Sequence, residues 1–117
     1  MRTALLYGPG DFRVETVGDP ELTPDGAIIR AVAYAICGSE LSLYGRGLAD
    51  AAVAQRGLEA VSKSSTGHER SGEVVEVGAN VTNVKPGDRV AAGGYGGFSE
   101  YFAVPNARRY VCFHPGV

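Results

Sequence analysis

Seventeen glycines and six prolines interrupt a chain of 117 residues, and short runs rich in Val, Ile and Tyr lie between them. Punctuation this dense leaves little room for long helices, because glycine costs a helix interior about 1 kcal/mol and proline about 3 kcal/mol relative to alanine. Short β-branched runs bounded by turn residues predict strands joined by tight turns, and so a mainly β domain. The length fits one compact domain. A hydrophobic content of 44% is enough for an ordinary core.

Residues 2–7 read as a first strand, ended by a Gly8-Pro9-Gly10-Asp11 turn. Residues 12–17 alternate apolar and charged side chains, the period of a half-buried strand. The two prolines between Asp19 and Gly26 mark a loop, and residues 27–35 (AIIRAVAYA) form a long apolar strand. A short turn or helix follows from Cys37 through Leu43. The alanine-rich residues 48–61 have helical composition weakened by Gly57, and residues 63–67 are a polar connector. A strand is expected at 72–77, then turns at Gly78-Ala79-Asn80 and at Lys85-Pro86-Gly87-Asp88, where proline presets φ and glycine tolerates unusual backbone angles. Residues 89–92 and 98–104 are expected to pair as a hairpin around the glycines at 93–97, and residues 109–113 to form a last short strand.

Formal net charge is −2 with no basic run, which argues against nucleic acid as a partner. No apolar stretch approaches the ~18 to 20 residues that cross a bilayer. The apolar part of the N-terminus is too short for a secretory signal, so Cys37 and Cys112 are expected to be reduced thiols in a cytoplasm.

Cys37, His68 and Glu69 offer a thiolate, an imidazole and a carboxylate, the three kinds of side chain that bind Zn²⁺. They lie far apart in sequence, so only a fold brings them together. A buried structural cysteine with an unrelated surface histidine accounts for the same residues. Cys112 and His114, two residues apart on an expected strand, share a face but have no further support as ligands.

The surroundings of these residues shift the balance. Gly67-His68-Glu69-Arg70-Ser71-Gly72, followed after five residues by Gly78 and after two more by Val81, resembles the signature of the zinc-dependent medium-chain alcohol dehydrogenase family. Cys37-Gly38-Ser39-Glu40, Pro86-Gly87-Asp88-Arg89-Val90 and Gly97-Phe98-Ser99-Glu100-Tyr101 resemble three further segments of that family, in the family's order. The resemblance covers nearly everything except residues 46–66.

It implies a GroES-like, partly open β-barrel with few short helices, spanning residues 1–117 as the family's N-terminal catalytic domain. It also implies zinc ligation by Cys37 and His68, with Glu69 close to the metal and able to replace water, and a Ser39 hydroxyl that carries the substrate proton away. In that chemistry a zinc ion lowers the pKa of a bound alcohol. The competing reading of Ser39 is a helix-cap serine.

Glu40 stands where the family carries an aspartate that orients the histidine ligand from behind. The family's third zinc ligand and its NAD(P)-binding Rossmann domain have no counterpart in these residues. Zinc is therefore expected to be held weakly or partially, and NAD(P) to bind only through a domain absent from this chain. The glycine run 93–97 lacks the strand-turn-helix setting of a dinucleotide loop.

The expected substrate is a small alcohol or aldehyde, and the isolated chain is expected to be inactive and to self-associate or pair with a cofactor domain. Two alternatives stay open: a stand-alone zinc- or small-molecule-binding module of the same fold, and a purely structural domain.

Overall fold

A computed structural model describes residues 1–46, 66–94 and 98–113. The elements run β1 (Arg2–Gly8), β2 (Asp11–Thr16), β3 (Ala27–Ala35), α1 (Gly38–Arg46), β4 (Glu69–Val77), β5 (Arg89–Ala92), β6 (Phe98–Ser99), β7 (Tyr101–Val104), α2 (Ala107–Tyr110) and β8 (Val111–Phe113). Strands dominate and the helices are few and short, as the turn density requires. Residues 48–61, expected to be helical, lie outside the described residues.

The strands form two open sheets, in the orders β2-β1-β6 and β7-β3-β4-β5-β8. Every pairing among the described residues is antiparallel. The longest ladder joins β3 to β4, from Ala27 opposite Val77 to Ala35 opposite Glu69, with register shifts after Ile28 and after Ala31. Such irregularities bend a strand and sharpen its twist, which curls a sheet toward a barrel.

The larger sheet packs its inner face around Ala27, Ile29 and Val74, all wholly buried, with Val84, Val90, Phe102, Val104 and Ala107. Gly72 sits in this layer because nothing larger fits. A β-carbon there would overlap the carbonyl oxygen of Arg30 on the neighbouring strand and crowd the Ile29 side chain. The turn at residues 85–88 is fastened to the same layer: Gly87 N–H donates to Val74 O at 2.8 Å, and Val74 N–H donates to Asp88 O at 2.9 Å.

Three expectations need correction. Residues 89–92 and 98–104 do not pair as a hairpin. β5 lies between β4 and β8, while β6 pairs with β1 and β7 with β3. The chain crosses between sheets at Glu100, whose N–H donates to Arg2 O at 3.1 Å and whose carbonyl accepts from Ala31 N–H at 2.9 Å. Buried positions run Ser99, Phe102, Val104, so the alternation slips by one residue at the crossing. Strand periodicity cannot show which partner a strand chooses.

The last expected strand is also only half strand. Residues 107–110 form the one-turn α2, started by Asn106, whose side chain accepts from Arg109 N–H at 3.1 Å. An asparagine at that position satisfies a free helix N–H and favours a turn over continued extension. Finally, the fourth strand starts at Glu69 rather than residue 72, because pairing with β3 continues to Ala35.

Buried hydroxyls pair within the smaller sheet, and one half-buried hydroxyl bridges to it from the larger. Thr3 Oγ1 lies 2.6 Å from Ser99 Oγ, and the Tyr34 hydroxyl donates to Ser99 O at 2.9 Å while accepting from Ser99 N–H at 3.1 Å. Burial is the main cause of the Tyr34 phenol's raised pKa.

Candidate metal centre

β3 delivers Ala35, Ile36 and Cys37 to one edge of the larger sheet, and β4 starts from the same edge with Glu69. The antiparallel ladder thereby closes the sequence gap between the two motifs. The donor atoms of Cys37, His68 and Glu69 all lie within 4.8 Å of one another. A tetrahedral ion with bonds of ~2.3 Å to sulfur and ~2.0 Å to nitrogen holds such atoms about 3.5 Å apart, so the cluster needs only a small contraction to fit zinc.

Gly67 prepares this arrangement. Its φ of 74° lies in the left-handed region that favours glycine, and it turns the chain so that His68 arrives at the edge before the strand begins.

Glu40 ties the two segments together. It lies in the first turn of α1 and is only 3% exposed. One carboxylate oxygen accepts from Cys37 N–H at 2.9 Å, as a residue three positions into a helix does in a capping box. The other accepts from Gly67 N–H and stands 3.3 Å from His68 Nδ1. At that distance the contact with the imidazole is chiefly electrostatic. Its effect is to favour a proton on Nδ1 and leave the Nε2 lone pair available to a metal. The methylene by which Glu40 exceeds an aspartate lets one side chain reach both ligand-bearing segments.

Ser39 lies in the same first turn, exposed to solvent and two residues beyond Cys37. Both cysteines are free thiols, Cys37 partly buried and Cys112 exposed. Cys112 pairs with Ala91 on the far strand of the sheet. His114, its possible companion, lies outside the described residues. The donor set of Cys37, His68 and Glu69 therefore fits zinc chemically and geometrically.

One neighbouring group escaped the sequence reading. Arg70 follows Glu69 on β4 and points inward, 5% exposed, with its guanidinium carbon 3.9 Å over the Phe102 ring and Nη2 donating to Gly93 O at 3.3 Å. Burial pushes its pKa below the usual value, opposed by the neighbouring Tyr34. Strict strand alternation from an exposed Glu69 was the available signal for a buried Arg70.

Residues 23–114 match the family described as the alcohol dehydrogenase GroES-like domain. A sorbitol dehydrogenase of Bombyx mori is 38% identical over 88 residues, covering 75% of this chain and 24% of that protein. A sorbitol dehydrogenase sequence of Sus scrofa is 36% identical over 87 residues, covering 74% of this chain and 84% of that sequence. Among solved structures, 2R,3R-butanediol dehydrogenase of Bacillus subtilis superposes with a TM-score of 0.79 at 29% identity, covering 98% of this chain and 40% of that one. The CurK enoyl reductase reaches a TM-score of 0.82 at 17% identity, a likeness of fold, covering 98% of this chain and 35% of that one. The chain thus spans about a quarter of the length of the Bombyx relative.

Proposed function

The chain belongs to the alcohol dehydrogenase GroES-like domain family, and on that premise we propose that it is the zinc-binding catalytic part of an oxidoreductase that interconverts alcohols and aldehydes with NAD(P). The observation that carries the reading is the meeting of Cys37, His68 and Glu69 at one sheet edge, with Glu40 behind them. Cys37 and His68 would hold the zinc, and Glu69 would complete or exchange within its coordination. When bound there, zinc supplies Lewis acidity that makes an alcohol hydroxyl easier to deprotonate.

The chain's own groups do the rest. Glu40 keeps His68 in the tautomer whose outer nitrogen faces the site and holds the helix that presents Cys37. Ser39, exposed beside Cys37, accepts the substrate's hydroxyl proton and passes it to solvent. The nicotinamide has to come from a dinucleotide-binding domain outside these 117 residues.

Cobalt, which takes zinc sites and absorbs light, provides the test. Titrating the chain with Co²⁺ should produce a thiolate-to-cobalt charge-transfer band that Cys37→Ser abolishes and Cys112→Ser leaves intact. Affinity should be low, since three candidate protein ligands converge among the described residues. A band absent at saturating cobalt, or one that survives Cys37→Ser, would falsify the assignment.

A further inference from the structure

We infer that Arg70 is the centre of a binding site for a small monocarboxylate, set beside Gly93 and Gly94 just past the end of β5. The site is independent of the reading of Cys37, His68 and Glu69 as a metal centre.

A guanidinium is not deprotonated in proteins, and a buried charge is tolerated only where an opposite charge and hydrogen bonds compensate it. Arg70 is only 5% exposed, yet it belongs to none of the ion pairs among the described residues. Its neighbour Glu69 is exposed, on the other face of β4.

The groups that touch the guanidinium are neutral. The Phe102 ring lies 3.9 Å from its carbon, and Gly93 O accepts from Nη2 across 3.3 Å. Tyr34 stands opposite on β3, with its hydroxyl bonded to Ser99. A ring face offsets part of the charge but leaves the N–H groups unsatisfied. Nε and Nη1 are buried and have no hydrogen-bond partner among the described residues. Buried donors without partners are few in folded proteins, and each calls for an explanation.

The arrangement of these donors selects the ligand. Nη2 carries two hydrogens, one beside an Nη1–H and one beside the Nε–H. Whichever of them Gly93 O accepts, the other still stands next to an unpaired N–H. One two-donor edge is therefore complete, and such a fork matches the two oxygens of a carboxylate. Charge balance points the same way. A monoanion neutralises one guanidinium, whereas sulfate would leave a net charge in the interior.

Room for the acid group lies on the glycine side. Chain neighbours apart, a β-carbon on Gly93 would meet no atom within 4 Å, and one on Gly94 would meet only Arg70 Nη2, at 3.0 Å. Water does not reach Nε or Nη1, so the carboxylate gains them by displacing the Gly93–Gly94 backbone, which has no side chain to clear.

The Arg70 Nε–H resonance of the full chain, recorded without added metal, reads the site directly. Sodium acetate, with ionic strength held constant by sodium chloride, should shift that resonance along a single saturable curve. Sodium sulfate at the same ionic strength should require at least tenfold higher concentrations. Arg70→Lys keeps the charge and removes the fork, and it should weaken acetate binding at least tenfold, followed at the Gly93 and Gly94 amides. If the variant does not fold, the signal of the parent protein still decides. A shift that does not saturate overturns the inference, as does an equal response to sulfate or an undiminished affinity in Arg70→Lys. Acetate shifts confined to the exposed Arg2, Arg13 or Arg89 overturn it too. So does an Arg70 Nε–H signal lost to exchange with water, which would place the guanidinium at the surface.

Discussion

At one end of the β3–β4 ladder Ala27, Ile29 and Val74 are wholly buried, whereas at the other Ala35, Ile36 and Glu69 face solvent. The same two strands therefore pass from a closed core to an open edge. At the closed end close packing leaves no space even for a β-carbon on Gly78, which would overlap the carbonyl oxygens of Thr23 and Pro24. At the open end, among the described residues, the two ligand-bearing segments are tied by the hydrogen bonds of a single buried carboxylate, Glu40. Interior packing is non-directional and depends on volume. A site needs directed donors and acceptors around a space that stays open. The difference teaches that stability and chemistry here can be perturbed separately, although they share a ladder.

The sharpest way to break the comparison is at its closed end. Ile29→Ala leaves a cavity among Val74, Val90 and Phe102 and is expected to cost about 2–5 kcal/mol. Chemical denaturation should show this loss, while the cobalt band of the protein that remains folded keeps its wavelength. A shifted band would mean that core and site are one mechanical unit.

A smaller effect is expected at the open end. Glu40→Gln keeps the shape but removes the charge facing His68 and presents an amide N–H to a backbone donor. Cobalt affinity should fall by roughly 10–100-fold, the usual effect of losing a partner that orients a metal ligand. An unchanged affinity would reduce Glu40 to a helix cap.

The smallest effect is expected from acid. The Asp88 carboxyl is held below its ordinary value first by the hydrogen bond from the Lys85 side chain, and that of Glu100 first by the Arg2 backbone N–H. A depressed folded pKa contributes stability above the unfolded value, and that contribution is lost as pH falls through the folded value, here below the ordinary carboxylate range. Melting temperature measured from about pH 5 downward should decline, and the decline should be shallower in Asp88→Asn. Glu100 is exposed and Asp88 is paired with the exposed Lys85, and such surface pairs contribute little. Amide exchange at Val74 and Gly87, bonded across the Asp88 turn, should quicken before exchange at Gly67, tied by Glu40. The reverse order would place the acid-sensitive contacts at the metal centre.

Much of this was legible in the residues themselves. The density of glycine and proline settled a mainly β fold, since those residues limit helices and permit turns whatever surrounds them. The strands at 2–7, 12–17 and 27–35 followed from local pattern and came within a residue or two of their boundaries. Cys37, His68 and Glu69 were readable as a set through their motifs. Their meeting depends on the pairing of Ala35 with Glu69, a contact between distant residues that no local pattern contains.

For the same reason the hairpin expected at 89–104 was wrong. Alternation reports that a segment is extended and half-buried, but the choice of neighbour is made by every other strand competing for the same edge. Glu40 illustrates the point on the scale of one side chain. The sequence supplied a carboxylate one methylene longer than the family's and no measure of what it reaches. Tertiary structure decided the matter, because reach has meaning only once the Cys37 and Gly67 N–H groups stand at fixed positions around it.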